Sequence, residues 1–138
     1  MSAQLCSFQL AGMSFCVPAV EVQEIISSQA ITRVPLADAA VVGLINLRGQ
    51  IVTSIDVRAR LGLDGETAKR PINVVVRNSD GVFSLLVDSI GDVVEPDDSQ
   101  LDTVPETVPS HLRDLIAGVY KLPDRLLFVL DLNRIVSP

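Results

Sequence analysis

At 138 residues and 48% hydrophobic, the chain has apolar material for one shared core, whereas isolated units of about 60 residues would be marginal. Its formal charge of −6 excludes a surface built to displace counterions from nucleic acid or to lie on an anionic membrane. Aromatic residues make up 4% and Trp is absent, so short runs of Val, Ile and Leu must carry the core, which suits strands.

In chain order, residues 5–10 read as a strand, Ala11-Gly12 as a turn, and 13–17 as a strand that Pro18 ends, since proline donates no ladder hydrogen bond. Residues 20–25 alternate apolar with acidic or amide side chains. A loop holding Arg33 and Pro35 leads to a strand at 44–47, a turn at Arg48-Gly49 and a strand at 50–55. Asp56 is placed to cap a short helix over 57–61, with Gly62 at its end. Residues 62–71 form a polar linker. Beyond it come a strand at 72–77, a hairpin turn at Asn78-Ser79-Asp80-Gly81, and strands at 82–87 and 90–94. Residues 92–106 carry six acids and no base, with Pro96 and Pro105, and read as an exposed loop. Leu112, Leu115 and Ile116 have helical spacing after Ser110 as N-cap. A last hairpin turns at Pro123-Asp124, and Asp131 caps a terminal helix.

The chain repeats itself. At an offset of 75, Gly43 falls on Gly118, Leu47 on Leu122, Ile51 on Leu126 and Asp56 on Asp131. Upstream, at an offset of 68, Phe15 falls on Phe83, Val17 on Leu85, Val22 on Ile90, Glu24 on Asp92 and Ile25 on Val93. Such repetition implies a duplicated architecture. Each unit supplies about five short strands with tight turns, the makings of a small closed barrel. The expected layout is one duplicated, all-β domain over 1–138, with 5–65 as the first barrel and 70–136 as the second. Positions that differ between copies are where one copy can take on a task. Arg48-Gly49 against Pro123-Asp124 is the foremost of these.

Catalytic chemistry is not assembled. His111 is the only histidine, and neither G-x-S-x-G nor G-x-x-x-x-G-K-[ST] occurs. One His and two separated Cys cannot make a zinc site. Cys6 and Cys16, ten apart in apolar runs, read as small buried hydrophobes of a reducing compartment. Val87-Asp88-Ser89-Ile90-Gly91 has the Asp-Ser-Gly loop of aspartic proteases interrupted by Ile90, and reads as an acid beside a turn. Asp56 and Asp131 are matched helix caps rather than an acid–base pair. No apolar run nears the roughly 18 residues of a membrane helix. Met1-Ser2-Ala3-Gln4-Leu5 lacks signal-peptide features, so a cytosolic location is expected.

Gly43-Leu44-Ile45-Asn46-Leu47-Arg48-Gly49-Gln50-Ile51-Val52, followed by Ile55-Asp56-Val57-Arg58, closely resembles the signature of the CheW family, the adaptors of bacterial chemosensory arrays. Val22-Gln23-Glu24-Ile25 and the stretch 84–93 resemble two further family elements in order. The resemblance implies two packed five-stranded SH3-like barrels, with no catalysis and no cofactor. It implies partners in a two-component system: the cytoplasmic tip of a chemoreceptor and the regulatory domain of the CheA histidine kinase. It leaves open rings with other CheW copies. It places the protein at arrays on the inner face of the membrane, without insertion.

Position by position, the resemblance implies a receptor-facing set of Val22, Glu24, Arg48, Ile90 and Val93. Arg48 is expected to pair with Glu24, and Val22 to face Ile90 across a seam between barrels. The kinase-facing set is Ile31, Val42 and Gly43, with Glu106 and Thr107 at a second contact that is usually more apolar than Thr107 makes it. The nearest alternative is a paralogous adaptor of twitching motility or gene regulation. An oligonucleotide-binding barrel would need a basic face with stacking aromatics, against one Tyr, four Phe and net −6 here. A small hydrolase would have to turn on His111.

Overall fold

The computed structural model describes residues 4–27, 29–34, 40–63 and 70–137; Met1, Pro35 and residues 64–69 of the expected linker lie outside the described residues. The first repeat gives β1 (Leu5–Leu10), β2 (Met13–Pro18), β3 (Val22–Ile26), β4 (Val41–Leu47), β5 (Gln50–Asp56) and α1 (Val57–Leu61). The second gives β6 (Ile72–Asn78), β7 (Gly81–Val87), β8 (Ser89–Val94), β9 (Leu101–Asp102), α2 (Ser110–Arg113), β10 (Ile116–Lys121), β11 (Leu126–Leu130) and α3 (Leu132–Val136).

These strands form two sheets, but the halves do not part at the linker. One sheet runs β8-β1-β2-β11-β10-β9 and the other β3-β6-β7-β5-β4. Each repeat has lent its first hairpin to the other's sheet. The expected division into 5–65 and 70–136 is therefore corrected: neither sheet is built from one half. The reason lies in the short links after each hairpin. Pro18 is the last residue of β2, paired with Leu5, and the 3₁₀ turn Ala19–Glu21 carries the chain directly into the other sheet. After β7, Asp88 alone separates the strands before β8 leaves for the opposite sheet. Under the repeat offsets, β3-β6-β7-β5-β4 maps strand for strand onto β8-β1-β2-β11-β10. Parallel pairs lock the exchange, β2 beside β11 and β7 beside β5.

Irregularities are duplicated as well. The β3–β6 pair slips between Val22 and Glu24, and β1–β8 slips between Cys6 and Phe8, opposite the equivalent stretch of β8. A second bulge, between Val41 and Gly43, recurs between Ile116 and Gly118. Asp56 Oδ1 accepts from Ala59 N at 3.3 Å, as Asp131 Oδ1 accepts from Arg134 N at 3.3 Å, so both expected caps are in place. Gly62 ends α1 at φ 68°.

Two other expectations are corrected. Residues 92–106 are not one loop: β8 continues to Val94, a 3₁₀ turn spans Asp98–Gln100, and β9 follows. Asp97 and Gln100 form a capping box, which turns acids into structure. Ser110 is not an N-cap; Pro109 holds that position, and α2 ends before Leu115 and Ile116. Both of those side chains are buried, and the Leu115 carbonyl accepts from Asp131 N at 2.9 Å, as the Ala40 carbonyl accepts from Asp56 N at 2.8 Å. Sheet pairing thus overrides helical spacing there.

The main hydrophobic cluster draws Phe8, Phe15, Val74, Leu85, Val119 and Phe128 from both sheets, and Leu61, Leu112 and Ile135 from the three helices. A smaller cluster fills each sheet: Leu5, Cys16, Tyr120 and Leu127 in one, Ile45, Leu47, Val52 and Val75 in the other. The cysteines are free thiols. Burial, then the neighbouring Cys6, push the Cys16 thiol from its ordinary 9.0 up to about 12. Because the folded value is raised, its contribution to stability is complete below pH 9 and is lost as pH climbs toward 12. A thiol reagent at pH 8 should therefore modify Cys16 only when urea unfolds the chain, while Cys6, half-buried, reacts first; mass mapping of labelled peptides checks this.

Candidate functional site

The expected pairing of Arg48 with Glu24 is made. The β4–β5 hairpin turns through Arg48 at φ 52° and Gly49 at φ 87°, a primed turn whose twist suits the flanking strands. Asn46 Oδ1 accepts from Gly49 N at 2.8 Å and holds the turn. Arg48 Nη2 donates to Glu24 Oε1 at 2.6 Å, with side chains 68% and 25% exposed. A pair so open contributes under about 1 kcal/mol, while a non-glycine residue in the left-handed region costs roughly 1–2 kcal/mol. Stability alone does not favour Arg at this tip. A strained, charged, exposed residue of this kind points to a role outside the fold.

The same pair marks where the sheet closes. β3 and β4 are its opposite edges, yet Glu24 of β3 reaches the β4–β5 tip. Downstream, Thr32 and Leu44 exchange backbone hydrogen bonds of 2.8 Å each, joining the chain after β3 to β4. Gly43 lies beneath that bridge: a Cβ there would sit 2.2 Å from the Thr32 carbonyl oxygen and 2.7 Å from Ile31 Cγ2. Ile31 and buried Gly43 are thus brought together, with half-buried Val42 next to Gly43 at the bulge. In the other barrel Leu101 and Asp102 cross β10 beside Gly118 in the equivalent place.

Of the remaining site residues, those in strands lie on both sheets. Val22 pairs with Val76 and packs against the main core, whereas Ile90 pairs with Phe8 on the other sheet and is 37% exposed. Val93 is 60% exposed, and its repeat equivalent Ile25 is 43% exposed on β3. Ile25 was absent from the expected site, although the offset of 68 that links it to Val93 was the signal for it. Glu106 and Thr107 are exposed in the turn before α2.

Residues weighed for chemistry are occupied otherwise. Asp88 Oδ2 accepts from Arg58 Nη2 and, at 3.0 Å, from Ala11 N, so it staples α1 to the left-handed β1–β2 turn. His111 lies against Gly62, whose Cβ would be 3.0 Å from Nε2. It lines an open cleft of about 610 Å³ with Arg60, Asp114, Leu115, Arg134 and Ser137, but both arginines there donate to backbone carbonyls. Among the described residues, no group of three or more His, Cys, Asp or Glu is placed to hold a metal, and no helix is long and apolar enough to cross a membrane.

Comparison with known proteins decides the family. The model of the CheW-like domain matches residues 4–138. The chain belongs to the CheW family. It is 30% identical over 133 residues to the chemotaxis protein CheW of Rhizobium meliloti strain 1021, covering 96% of this chain and 86% of that one. It is 29% identical over 131 residues to the chemotaxis protein CheW of Bacillus subtilis strain 168, covering 94% and 84%. The crystal structure of the scaffolding protein TtCheW from Thermoanaerobacter tengcongensis superposes with a TM-score of 0.90 at 24% identity, covering 100% of this chain and 94% of that one. CheW is a family of chemotaxis coupling and scaffold proteins, and the two-sheet fold is that of a solved member.

The two repeat-equivalent glycines give a test of barrel closure. At Gly43 an added methyl meets backbone, whereas at Gly118 it meets the Leu101 Cδ1 at 3.2 Å, which can give way. Gly43→Ala should cost about 1–3 kcal/mol in urea unfolding and Gly118→Ala under about 1 kcal/mol.

Proposed function

We propose that this CheW-family protein is a non-catalytic adaptor that couples the cytoplasmic tips of chemoreceptors to the regulatory domain of a CheA-type histidine kinase. The receptor is bound along β3 and β8, through Val22, Glu24, Arg48, Ile90 and Val93, with Ile25 added to that set. The kinase is bound at the closed end of the five-stranded sheet, through Ile31, Val42 and Gly43, with Glu106 and Thr107 forming a second contact on the other sheet. The protein works in the cytoplasm, recruited to arrays by these contacts.

One observation carries the reading: Arg48 is held in a left-handed turn at the protein surface, where the repeat copy has Pro123, and is aimed at Glu24. Its fork presents a fixed, permanent charge beside the apolar, half-exposed edge of β3. When a bound receptor excludes water there, loss of one partner of the charge pair costs about 2–5 kcal/mol, far more than in the free protein.

Two variants separate binding from folding. Arg48→Ala keeps the strained backbone and should leave stability within about 1 kcal/mol, yet reduce receptor affinity at least about tenfold. Arg48→Gly relieves the left-handed strain and should be no less stable than wild type, with the same loss of receptor-dependent kinase activation. Titration against a receptor-tip fragment and reconstituted kinase assays measure both. Unchanged affinity and activation in the two variants would reduce Arg48 to a decorated turn.

A further inference from the structure

Three equivalent positions are apolar in one barrel and polar in the other, while in the opposite sense Ser7, buried in the six-stranded sheet and donating to the Asp92 carbonyl at 2.6 Å, stands where the other copy has Val75. Leu5, Cys16 and Val129 belong to the apolar filling of the six-stranded sheet. Their repeat counterparts in the five-stranded sheet are Asn73, Ser84 and Ser54, all fully buried. Ser84 Oγ donates to Asn73 Oδ1 at 2.7 Å, and Asn73 Nδ2 donates to the Ser27 carbonyl at 3.0 Å. Ser54 lies beside Ser84 on the adjacent parallel strand, its hydroxyl buried without a hydrogen-bond partner. Replacing three apolar groups by polar ones in a barrel interior opposes stability unless their hydrogen bonds are needed.

The captured carbonyl lies at a decisive place. Ile26 makes the last pairing of β3, with Asn73, after which the chain must return to Leu44 through Thr32 to shut the barrel. In the other copy the corresponding stretch is held by other means. Pro96 is buried, Asp97 and Gln100 form the capping box, and Gln100 Nε2 donates to the Lys121 carbonyl at 3.3 Å. Between Ser27 and Thr32 there is no proline and, among the described residues, no capping box; Gln29 Nε2 gives the Ser27 carbonyl a second, exposed bond of 3.0 Å.

We infer that Asn73, aimed by Ser84, is a positioning residue that latches the Ser27 carbonyl from inside the barrel and so sets where Ile31 and Thr32 land on Gly43 and Leu44. The inference rests on the reading of Ile31, Val42 and Gly43 as the kinase-facing surface. It makes the shape of that surface depend on a buried amide, one rung from the β3 strand that faces the receptor.

The test uses the full chain. Asn73→Leu with Ser84→Cys installs the residues that already pack in the other barrel. Hydrogen exchange at the Thr32 and Leu44 amides should then quicken at least about tenfold, while Val75 and Leu85 keep their protection. Affinity for the kinase regulatory domain should fall about three- to tenfold, and affinity for the receptor tip should hold. Ser84→Ala, which frees the Asn73 amide without refilling the barrel, should show the same selective exchange more weakly, and decides the matter if the double variant does not fold. Equal acceleration of all amides, or none at Thr32 and Leu44, would make the network mere core filling and overturn the latch. Selective exchange in a protein whose wild type binds no kinase domain would uphold the latch and remove the kinase-facing reading instead.

Discussion

The structure depends on the parallel pairing of β2 with β11 and of β7 with β5. Parallel neighbours cannot be joined by a tight hairpin, so each pair commits distant parts of the chain to one sheet. Each repeat is completed by the other's first hairpin, and neither has a full sheet or a full core alone. The helices reinforce the dependence. Arg60 of α1 donates to the carbonyls of Arg134, Ile135 and Ser137 at 2.8, 3.1 and 3.2 Å, closing the end of α3. Arg58 of α1 is tied to Asp88 at the β7–β8 crossing. The result is one interlocked body in which most contacts are long in sequence, a topology that folds slowly but leaves little room for the halves to separate.

Within that body the duplication preserves what closes a barrel and varies what covers it. The bulges, the aspartate caps and the backbone bonds from Asp56 to Ala40 and from Asp131 to Leu115 recur at fixed offsets. The hairpin tips do not: Arg48-Gly49 makes a left-handed turn in one copy, and Pro123-Asp124, with Leu122 N bonded to the Arg125 carbonyl at 2.9 Å, makes the turn in the other. Ala11 and Arg48 are the two non-glycine residues at positive φ among the described residues. Each stands at such a tip and is linked to a carboxylate, Asp88 or Glu24.

Much of this was legible in the chain. Strand positions, both aspartate caps and the Gly62 stop follow from local chemistry, which acts within a few residues. The Glu24–Arg48 pair came with the family resemblance, carried by Val22-Gln23-Glu24-Ile25 and the Asn-Leu-Arg-Gly stretch. The hairpin exchange was hidden, because an offset reveals which segments are alike and nothing about which of them pair. Leu112, Leu115 and Ile116 misled for a related reason: their spacing suits a helix, but the partner of Leu115 is Asp131, sixteen residues on. The acidic stretch concealed its 3₁₀ turn because charge composition says little about a capping box. Asn73 and Ser84 gave no local signal at all. They become informative only when set against Leu5 and Cys16 in the other copy.

An adaptor without chemistry can transmit state only where its contacts with one partner differ between conformations. The interlocked sheets offer little such freedom, since a packed core resists continuous deformation. What remains is the pair of closing segments, and these are secured unequally. The second copy's segment is fastened by a buried proline, a capping box and the exposed Lys121–Asp102 ion pair at 2.9 Å. The first copy's is fastened by a buried amide, a two-bond bridge and an exposed ion pair with Arg48. Both ion pairs are exposed, and an exposed pair is weak until a partner dries it, so the segments differ chiefly in their proline and capping box. On the proposed receptor-binding reading, the closing segment beside β3, which lacks the buried proline of its counterpart, is the one whose fastening a bound receptor strengthens, and the duplicated barrel supplies the fixed frame around it.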